Sequence, residues 1–229
     1  MQAAVVIFPG SNRERDVCMA LKRATGREPL CVWHRDSELA AVDLIVLPGG
    51  FAYGDYLRCG AMAAHSPIMR EVKVRAERGT PVLGICNGFQ VLTEAGMLPG
   101  ALLTNRTLSF ICRDVHLRVE TNQTIFTCGF AAGQTIRVPV AHHDGNYTAE
   151  PDTLDELEDR GLVAFRYCDS DGALTDAGNV NGSARCIAGV FSRSRTVLGL
   201  MPHPENATDP LLGNTDGCAL FDGLVGALQ

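Results

Sequence analysis

The chain has no run of Lys or Arg and no basic patch interleaved with aromatics, and its formal net charge is −6. A protein that grips a phosphate backbone needs the opposite balance, so no nucleic-acid partner is expected. No apolar stretch approaches the ~18 residues that span a bilayer, so no membrane role is expected either. Met1–Phe8 carries no basic residue and meets Pro9-Gly10 after one strand's length. It reads as a first strand rather than an export signal. The nine cysteines include no Cys-x-x-Cys pair and no zinc-ligand spacing. Without an export signal they are expected as free thiols in a reducing cytoplasm. For the same reason the Asn-x-Ser/Thr triplets at Asn105, Asn122, Asn146, Asn181 and Asn206 are given no role. Neither G-x-x-x-x-G-K-[ST] nor G-x-G-x-x-G occurs, so any ATP in the reaction belongs to another chain.

What is present is an ordinary globular composition, 46% hydrophobic and 20% charged over 229 residues. There is no long linker, repeat or low-complexity segment, which favours one continuous domain over 1–229. Strands are expected at Ala3–Phe8, Leu30–His34, Leu44–Leu47 and Pro81–Ile85. Helices are expected at Glu14–Ala24, Ala61–Arg78 and Asn87–Ala95. Short apolar strands separated by helix-length segments imply an open, mostly parallel sheet with helices on both faces. The second half is richer in β pattern, with strands expected at Val115–Glu120, Thr135–Val140, Val163–Tyr167, Ile187–Phe191 and Val197–Met201. Helices are expected there at Asp152–Asp159 and Gly217–Leu228. This adds a small antiparallel β element.

Gly84-Ile85-Cys86-Asn87-Gly88-Phe89-Gln90 directly follows the apolar run Pro81-Val82-Leu83. Glycines two before and two after a cysteine, between a strand and a helix, describe a nucleophile elbow. The turn lifts the side chain into the open and sets the thiol near a helix N-terminus, where the dipole favours thiolate. Cys86 is therefore the candidate nucleophile. Cys18, Cys31, Cys59, Cys112, Cys128, Cys168, Cys186 and Cys218 are expected to be small buried hydrophobes.

A cysteine nucleophile needs a base that takes its proton and returns it to the leaving group. In Met201-Pro202-His203-Pro204-Glu205, Pro204 biases His203 toward an extended backbone, and residues two apart in an extended segment face the same way. Glu205 is thus placed to orient His203 in a Cys-His-Glu triad. Pro48-Gly49-Gly50-Phe51 is a turn whose backbone can approach a ligand, with the Gly50 N–H as one oxyanion donor and the Asn87 N–H as a second. His142-His143-Asp144 looks like a metal cluster, but adjacent residues seldom ligate one ion and no spaced third ligand follows, so no metal is expected.

These segments taken together resemble class I glutamine amidotransferase domains, and they span nearly the whole chain. The carrying stretches are Phe8–Asn12, Leu47–Arg58, Gly84–Gln90 with Leu92–Gly96, Phe110–Cys112 and Met201–Glu205. The Gly49–Tyr56 run is most similar to the glutaminase subunits that serve the amidation of formylglycinamide ribonucleotide in de novo purine synthesis. The resemblance implies a flavodoxin-like α/β fold. It also implies that Cys86 attacks the carboxamide of L-glutamine, that His203 protonates the departing ammonia, and that Gly50 and Asn87 form the oxyanion hole. Phe51, Gln90, His142 and His143 would lie at the substrate. It further implies no cofactor in this chain, a partner synthetase subunit that uses ATP and Mg, and a small bridging subunit. Arg58 and the Tyr53–Tyr56 segment would lie near the ammonia exit.

Two departures stand out. The family usually has His-Gly-Glu-Gly where this chain has His142-His143-Asp144-Gly145, so the His143 side chain stands where backbone would meet the glutamine carboxylate. Asn206 follows His-Pro-Glu where a basic residue is frequent. Two other readings stay open on the residues alone: a stand-alone cysteine hydrolase or peptidase on a related sheet, and an inactive subunit that only binds its partner.

Overall fold

Ala3-Ala4-Val5-Val6-Ile7 is apolar at every position, as a strand covered on both faces requires, and forms β1 (Ala3–Ile7), an inner strand of the parallel sheet. The computed structural model describes residues 1–229. Helix α1 (Glu14–Thr25) buries Val17, Ala20 and Leu21 along one face. Glu14 and Asp16 in its first turn and Lys22 and Arg23 in its last complement the helix dipole. Gly26 then ends it in the left-handed conformation. There follow β2 (Leu30–Trp33), β3 (Leu44–Leu47), α2 (Ala61–Ala64), α3 (Pro67–Glu77), β4 (Val82–Ile85) and α4 (Asn87–Glu94). The second half contributes β5 (Ala101–Leu103), β6 (Ile111–Val119), β7 (Thr135–His142), β8 (Asn146–Thr148), α5 (Pro151–Asp159), β9 (Val163–Cys168), β10 (Ile187–Phe191), β11 (Val197–Leu200) and α6 (Cys218–Ala227).

The single helix expected over 61–78 is two. Ser66 is extended (φ −61°, ψ 144°) because the ring of Pro67 disfavours helix in the residue before it, and Pro67 then opens α3. The three-residue strands β5 and β8 pair with each other in a small separate sheet and are too short to show an alternating pattern.

The main sheet has nine strands in the order β2-β1-β3-β4-β11-β10-β9-β6-β7. β2, β1, β3, β4 and β11 are mutually parallel, and β10, β9, β6 and β7 continue the same sheet antiparallel. The step from β1 to β2 runs one way along the sheet and that from β3 to β4 the other. Right-handed crossovers therefore place α1 and the α2–α3 pair on opposite faces. In agreement, α6 packs on α1 and α4 on α2. One contiguous core runs through the parallel and antiparallel halves, from Val5 and Leu47 to Phe165 and Val138.

Strand order reverses between β1 and β3, and in open α/β sheets the crevice outside such a switch point is the binding place. The strand ends Phe8–Asn12, Leu47–Phe51 and Ile85–Asn87 all open there. The β4–β11 register pairs Gly84 with Gly199 and Ile85 with Leu200, which brings the segment after β11 beside the elbow.

Candidate active site

Cys86 occupies the bend between β4 and α4 with φ 50° and ψ −106°, strained for a residue with a Cβ. The turn is tight enough to exclude side chains at both flanking glycines. A Cβ on Gly88 would lie 2.0 Å from the Leu47 carbonyl oxygen, and one on Gly84 would lie 2.4 Å from Leu92 Cδ1 and 2.8 Å from the Gly88 backbone. The bend is fixed by the Cys86 N–H donating to Leu200 O (2.8 Å) and by the Gln90 N–H donating to Cys86 O (3.1 Å). The thiol lies 3.8 Å from Ala141 O.

His203 and Glu205 meet as expected, by a different local route. Pro204–Asn206 form a short 3-10 turn rather than an extended segment, with the Asn206 N–H donating to His203 O at 3.2 Å. In that turn His203 Nδ1 donates to Glu205 Oε1 at 2.6 Å. The His203 N–H donates to Pro139 O (2.8 Å), so β7 holds the turn in place. Against Gly49 the ring has no spare room: a Cβ there would lie 2.8 Å from His203 Cε1. Burial opposes a charged His203, but the Glu205 carboxylate and the neighbouring Cys86 outweigh it and push the imidazole up to about 10. Nε2 is buried and has no hydrogen-bond partner in the protein.

Cys86 and His203 share a cavity of about 50 Å³ with Asn12, Arg13, Gly50, Phe51, Phe110 and Ala141. That is room for a carboxamide-sized group. Neither the Gly50 N–H nor the Asn87 N–H donates to any group in the chain, so both oxyanion candidates are unspent. The Gly50 backbone lies hard against β1's exit, where a Cβ would meet Ser11 Cα at 2.6 Å and Gly10 O at 2.7 Å. The Phe51 N–H is used by Gly10 O (2.9 Å), and its ring faces Phe110 at 6.5 Å across the cavity. Arg13, Phe110 and Ala141 line the cavity without belonging to any of the sequence motifs that carry the chemistry. Arg13 rests its aliphatic stem on Gly49 and pairs with Asp16 at 3.1 Å. Its only signal was its place after Pro-Gly-Ser-Asn.

The remaining candidates sit around the cavity rather than on it. The Asn87 side chain ties the elbow to the next loop: its Oδ1 accepts from the Ala52 N–H (3.1 Å) and its Nδ2 donates to Gln90 Oε1 (2.8 Å). Gln90 Nε2 donates to Asp144 O (2.7 Å), so both ends of this amide are engaged within the protein. His142 is buried. Asn105 Nδ2 donates to Ser109 O and His142 O, so Asn105 Oδ1 accepts from the Gly145 N–H and from His142 Nδ1. Burial, with His203 nearby, pushes His142 down to about 4, so its ring is neutral. The His143 ring is half-exposed and lies 3.1 Å from Asp144 Oδ2, away from the cavity lining. No group of three or more His, Cys, Asp or Glu side chains is arranged to hold a metal ion. Asn105 and Asn181, read as bare triplets in the sequence, are fully buried members of the network under this loop.

All nine cysteines are free. Cys31, Cys112 and Cys128 are exposed rather than buried, the first two because edge strand β2 and the outer end of β6 leave them uncovered. Arg58 pairs with Glu94 at 2.7 Å, and Tyr56 and Leu57 beside it stand in solvent.

Parallel strands ordered 2-1-3-4 with a cysteine elbow after the fourth, faced by a His–Glu pair, define a flavodoxin-like α/β protein of the amidotransferase class. The chain belongs to the CobB/CobQ-like glutamine amidotransferase domain family, whose model matches residues 1–216, and within it to the PurQ-type subunits. It is 58% identical to the phosphoribosylformylglycinamidine synthase subunit PurQ of Rhodospirillum rubrum over the full length of both chains. With the same subunit of Bradyrhizobium diazoefficiens it shares 54% identity over 100% of this chain and 99% of that one. Among solved structures it is similar to a chain of PurLQS from Thermotoga maritima, with 45% identity, a TM-score of 0.88, and 100% and 99% of the two chains covered. A Thermotoga maritima glutamine amidotransferase at 16% identity and TM-score 0.59 shares the fold.

Proposed function

We propose that this chain is the glutaminase subunit of phosphoribosylformylglycinamidine synthase. It hydrolyses L-glutamine and passes ammonia to a synthetase subunit, with a small third subunit joining the complex. The observation that carries the chemistry is the cavity shared by Cys86 and a His203 ring locked to Glu205. The proton of the Cys86–His203 pair rests on His203, and the Cys86 thiolate attacks the glutamine carboxamide carbon, forming a C–S bond. The carbonyl oxygen becomes an oxyanion, held by the Gly50 and Asn87 N–H groups. As the C–N bond breaks, His203 returns the proton to nitrogen and ammonia leaves. Water then cleaves the glutamyl thioester, with His203 as base, releasing glutamate and restoring the thiol.

The PurQ relatives and the PurLQS likeness support the assignment to the purine enzyme. The partner synthetase would supply ATP and Mg chemistry, since formylglycinamide ribonucleotide must be activated before ammonia can displace its oxygen. No helix is long and apolar enough to cross a membrane. The cytoplasm is the compartment proposed, because it holds glutamine and keeps nine free thiols reduced. The intact Cys86, His203 and Glu205 favour this reading over an inactive subunit, and the His-Pro-Glu turn favours it over a stand-alone peptidase.

The test is ammonia release from glutamine by the chain with its synthetase partners, for wild type and Cys86→Ala. Wild type should release ammonia and Cys86→Ala should not. Equal release by both would overturn the mechanism, and peptide cleavage without glutamine turnover would favour the peptidase.

A further inference from the structure

Part of the Gly-Phe-Ala-Tyr-Gly-Asp run is not used by the chemistry above. Tyr53 lies three residues beyond Gly50 with its backbone in the left-handed region (φ 56°, ψ 26°). A bulky side chain rarely adopts that conformation unless its surroundings hold it there. The phenol turns inward. Its hydroxyl lies 2.8 Å from His34 Nδ1 and 3.4 Å from Ser66 Oγ, and Ser66 Oγ lies 3.3 Å from the same His34 nitrogen. The Tyr53 and His34 rings meet edge to face at 5.5 Å. Both His34 and Ser66 are buried.

These partners stand on rigid elements. His34 follows β2, with its N–H donating to Ile7 O of β1 (3.0 Å), and Ser66 immediately precedes α3. Burial, with Arg35 adding to it, holds His34 below the ordinary imidazole value. A neutral ring offers a lone pair at Nδ1 for the Tyr53 hydroxyl. The same loop is tied at five points: Gly49 O accepts from the Asn12 and Arg13 N–H groups (3.3 and 3.2 Å), and the Phe51 N–H donates to Gly10 O (2.9 Å), the Ala52 N–H to Asn87 Oδ1 (3.1 Å) and the Tyr53 N–H to Pro9 O (2.6 Å). Those ties reach the end of β1 and the elbow. The phenol alone reaches β2 and the start of α3.

We propose that Tyr53, His34 and Ser66 are positioning residues that fix the loop so that the Gly50 N–H stays free beside Cys86. The inference rests on the reading of Gly50 as an oxyanion donor. None of the three lines the cavity; they act through the loop. An oxyanion donor matters in the transition state more than in the ground state, so its misplacement appears in kcat rather than KM.

The experiment uses the chain in complex with its synthetase partners and measures glutamine hydrolysis. Cys86→Ala is run first, and unchanged activity there defeats the underlying reading independently of this one. Tyr53→Phe keeps the ring and removes the hydroxyl. It should lower kcat by about 10-fold and leave KM for glutamine within about twofold. Alkylation of Cys86 by iodoacetamide should proceed at the wild-type rate. His34→Asn puts an acceptor oxygen near the Nδ1 position and should keep kcat within about twofold of wild type, whereas His34→Leu should lose about 10-fold. Combining Tyr53→Phe with His34→Leu should cost no more than either alone. Wild-type kcat in Tyr53→Phe overturns the proposal. So does an equal loss in His34→Asn and His34→Leu, or a loss matched by slower Cys86 alkylation, since those mark a structural role.

Discussion

His203 Nδ1 lies 2.6 Å from Glu205 Oε1, and both side chains are almost wholly buried. A carboxylate in that place fixes which ring nitrogen carries the proton and stabilises the imidazolium once it forms. Glu205→Gln keeps the shape and removes the charge. It should lower kcat for glutamine hydrolysis by about 10²- to 10⁴-fold with little change in KM, measured as glutamate formed in the complex. A loss confined to KM would mean that Glu205 serves binding.

The same pair links stability to pH. His203 is raised from 6.5 to about 10 in the folded protein, so the native state holds a proton that the unfolded chain releases. Its contribution is complete below about pH 6.5 and is lost as pH rises toward 10. Urea unfolding of wild type and His203→Gln across that range should show the wild-type advantage shrinking as pH rises. A growing advantage would contradict the assignment.

The elbow glycines are required for space. Gly88→Ala would set a methyl 2.0 Å from the Leu47 carbonyl oxygen, a backbone atom that cannot step aside. It should destabilise the chain by about 3 kcal/mol. Gly226, in α6 with nothing within 4 Å of its added Cβ, is the control. Gly226→Ala should stabilise by about 0.5 kcal/mol. Thermal unfolding of the two variants reads both.

Gly50 is a separate case, because its substitution moves a hydrogen-bond donor rather than the core. A Cβ there meets Ser11 Cα at 2.6 Å and pushes the loop away from β1. Gly50→Ala should cut kcat by about 10²- to 10³-fold while Cys86 still reacts with iodoacetamide. Loss of both would place Gly50 in the fold rather than in the oxyanion site.

The His143 departure from the family pattern is predicted to be harmless. The ring pairs with Asp144 at 3.1 Å and does not line the cavity. His143→Gly should leave KM for glutamine within about twofold, a change worth less than 0.5 kcal/mol. A tenfold fall in KM would show that the ring obstructs the substrate.

Much of this arrangement was legible in the sequence because it is local. The Gly-x-Cys-x-Gly elbow, the Pro-Gly-Gly turn and His-Pro-Glu each carry their geometry in adjacent residues. Strands such as Leu44–Leu47 and Ile187–Phe191 announced themselves as short unbroken apolar runs. What escaped reading depends on distant partners. The tie from Asn87 to Ala52 spans 35 residues, and the buried Asn105 gathers His142 and Gly145 from nearly 40 residues away. The elbow motif marks the Asn87 backbone N–H, but nothing local marks its side chain for this tie or Asn105 for its network. The break before Pro67 is local, since a proline disfavours helix in the residue before it, and the single helix expected over 61–78 overlooks that signal. The exposed Cys31 shows the limit of composition: residue type alone cannot say that its strand is an edge.

The central claim is a covalent bond between glutamine and Cys86, and the direct measurement is the mass of the acid-quenched chain during turnover with its partners. The account predicts a gain of one glutamyl group, mapped to the peptide carrying Cys86, longer-lived in Glu205→Gln and absent in Cys86→Ala. Ammonia formed at the full rate with no adduct on that peptide, or an adduct on another cysteine, would contradict it.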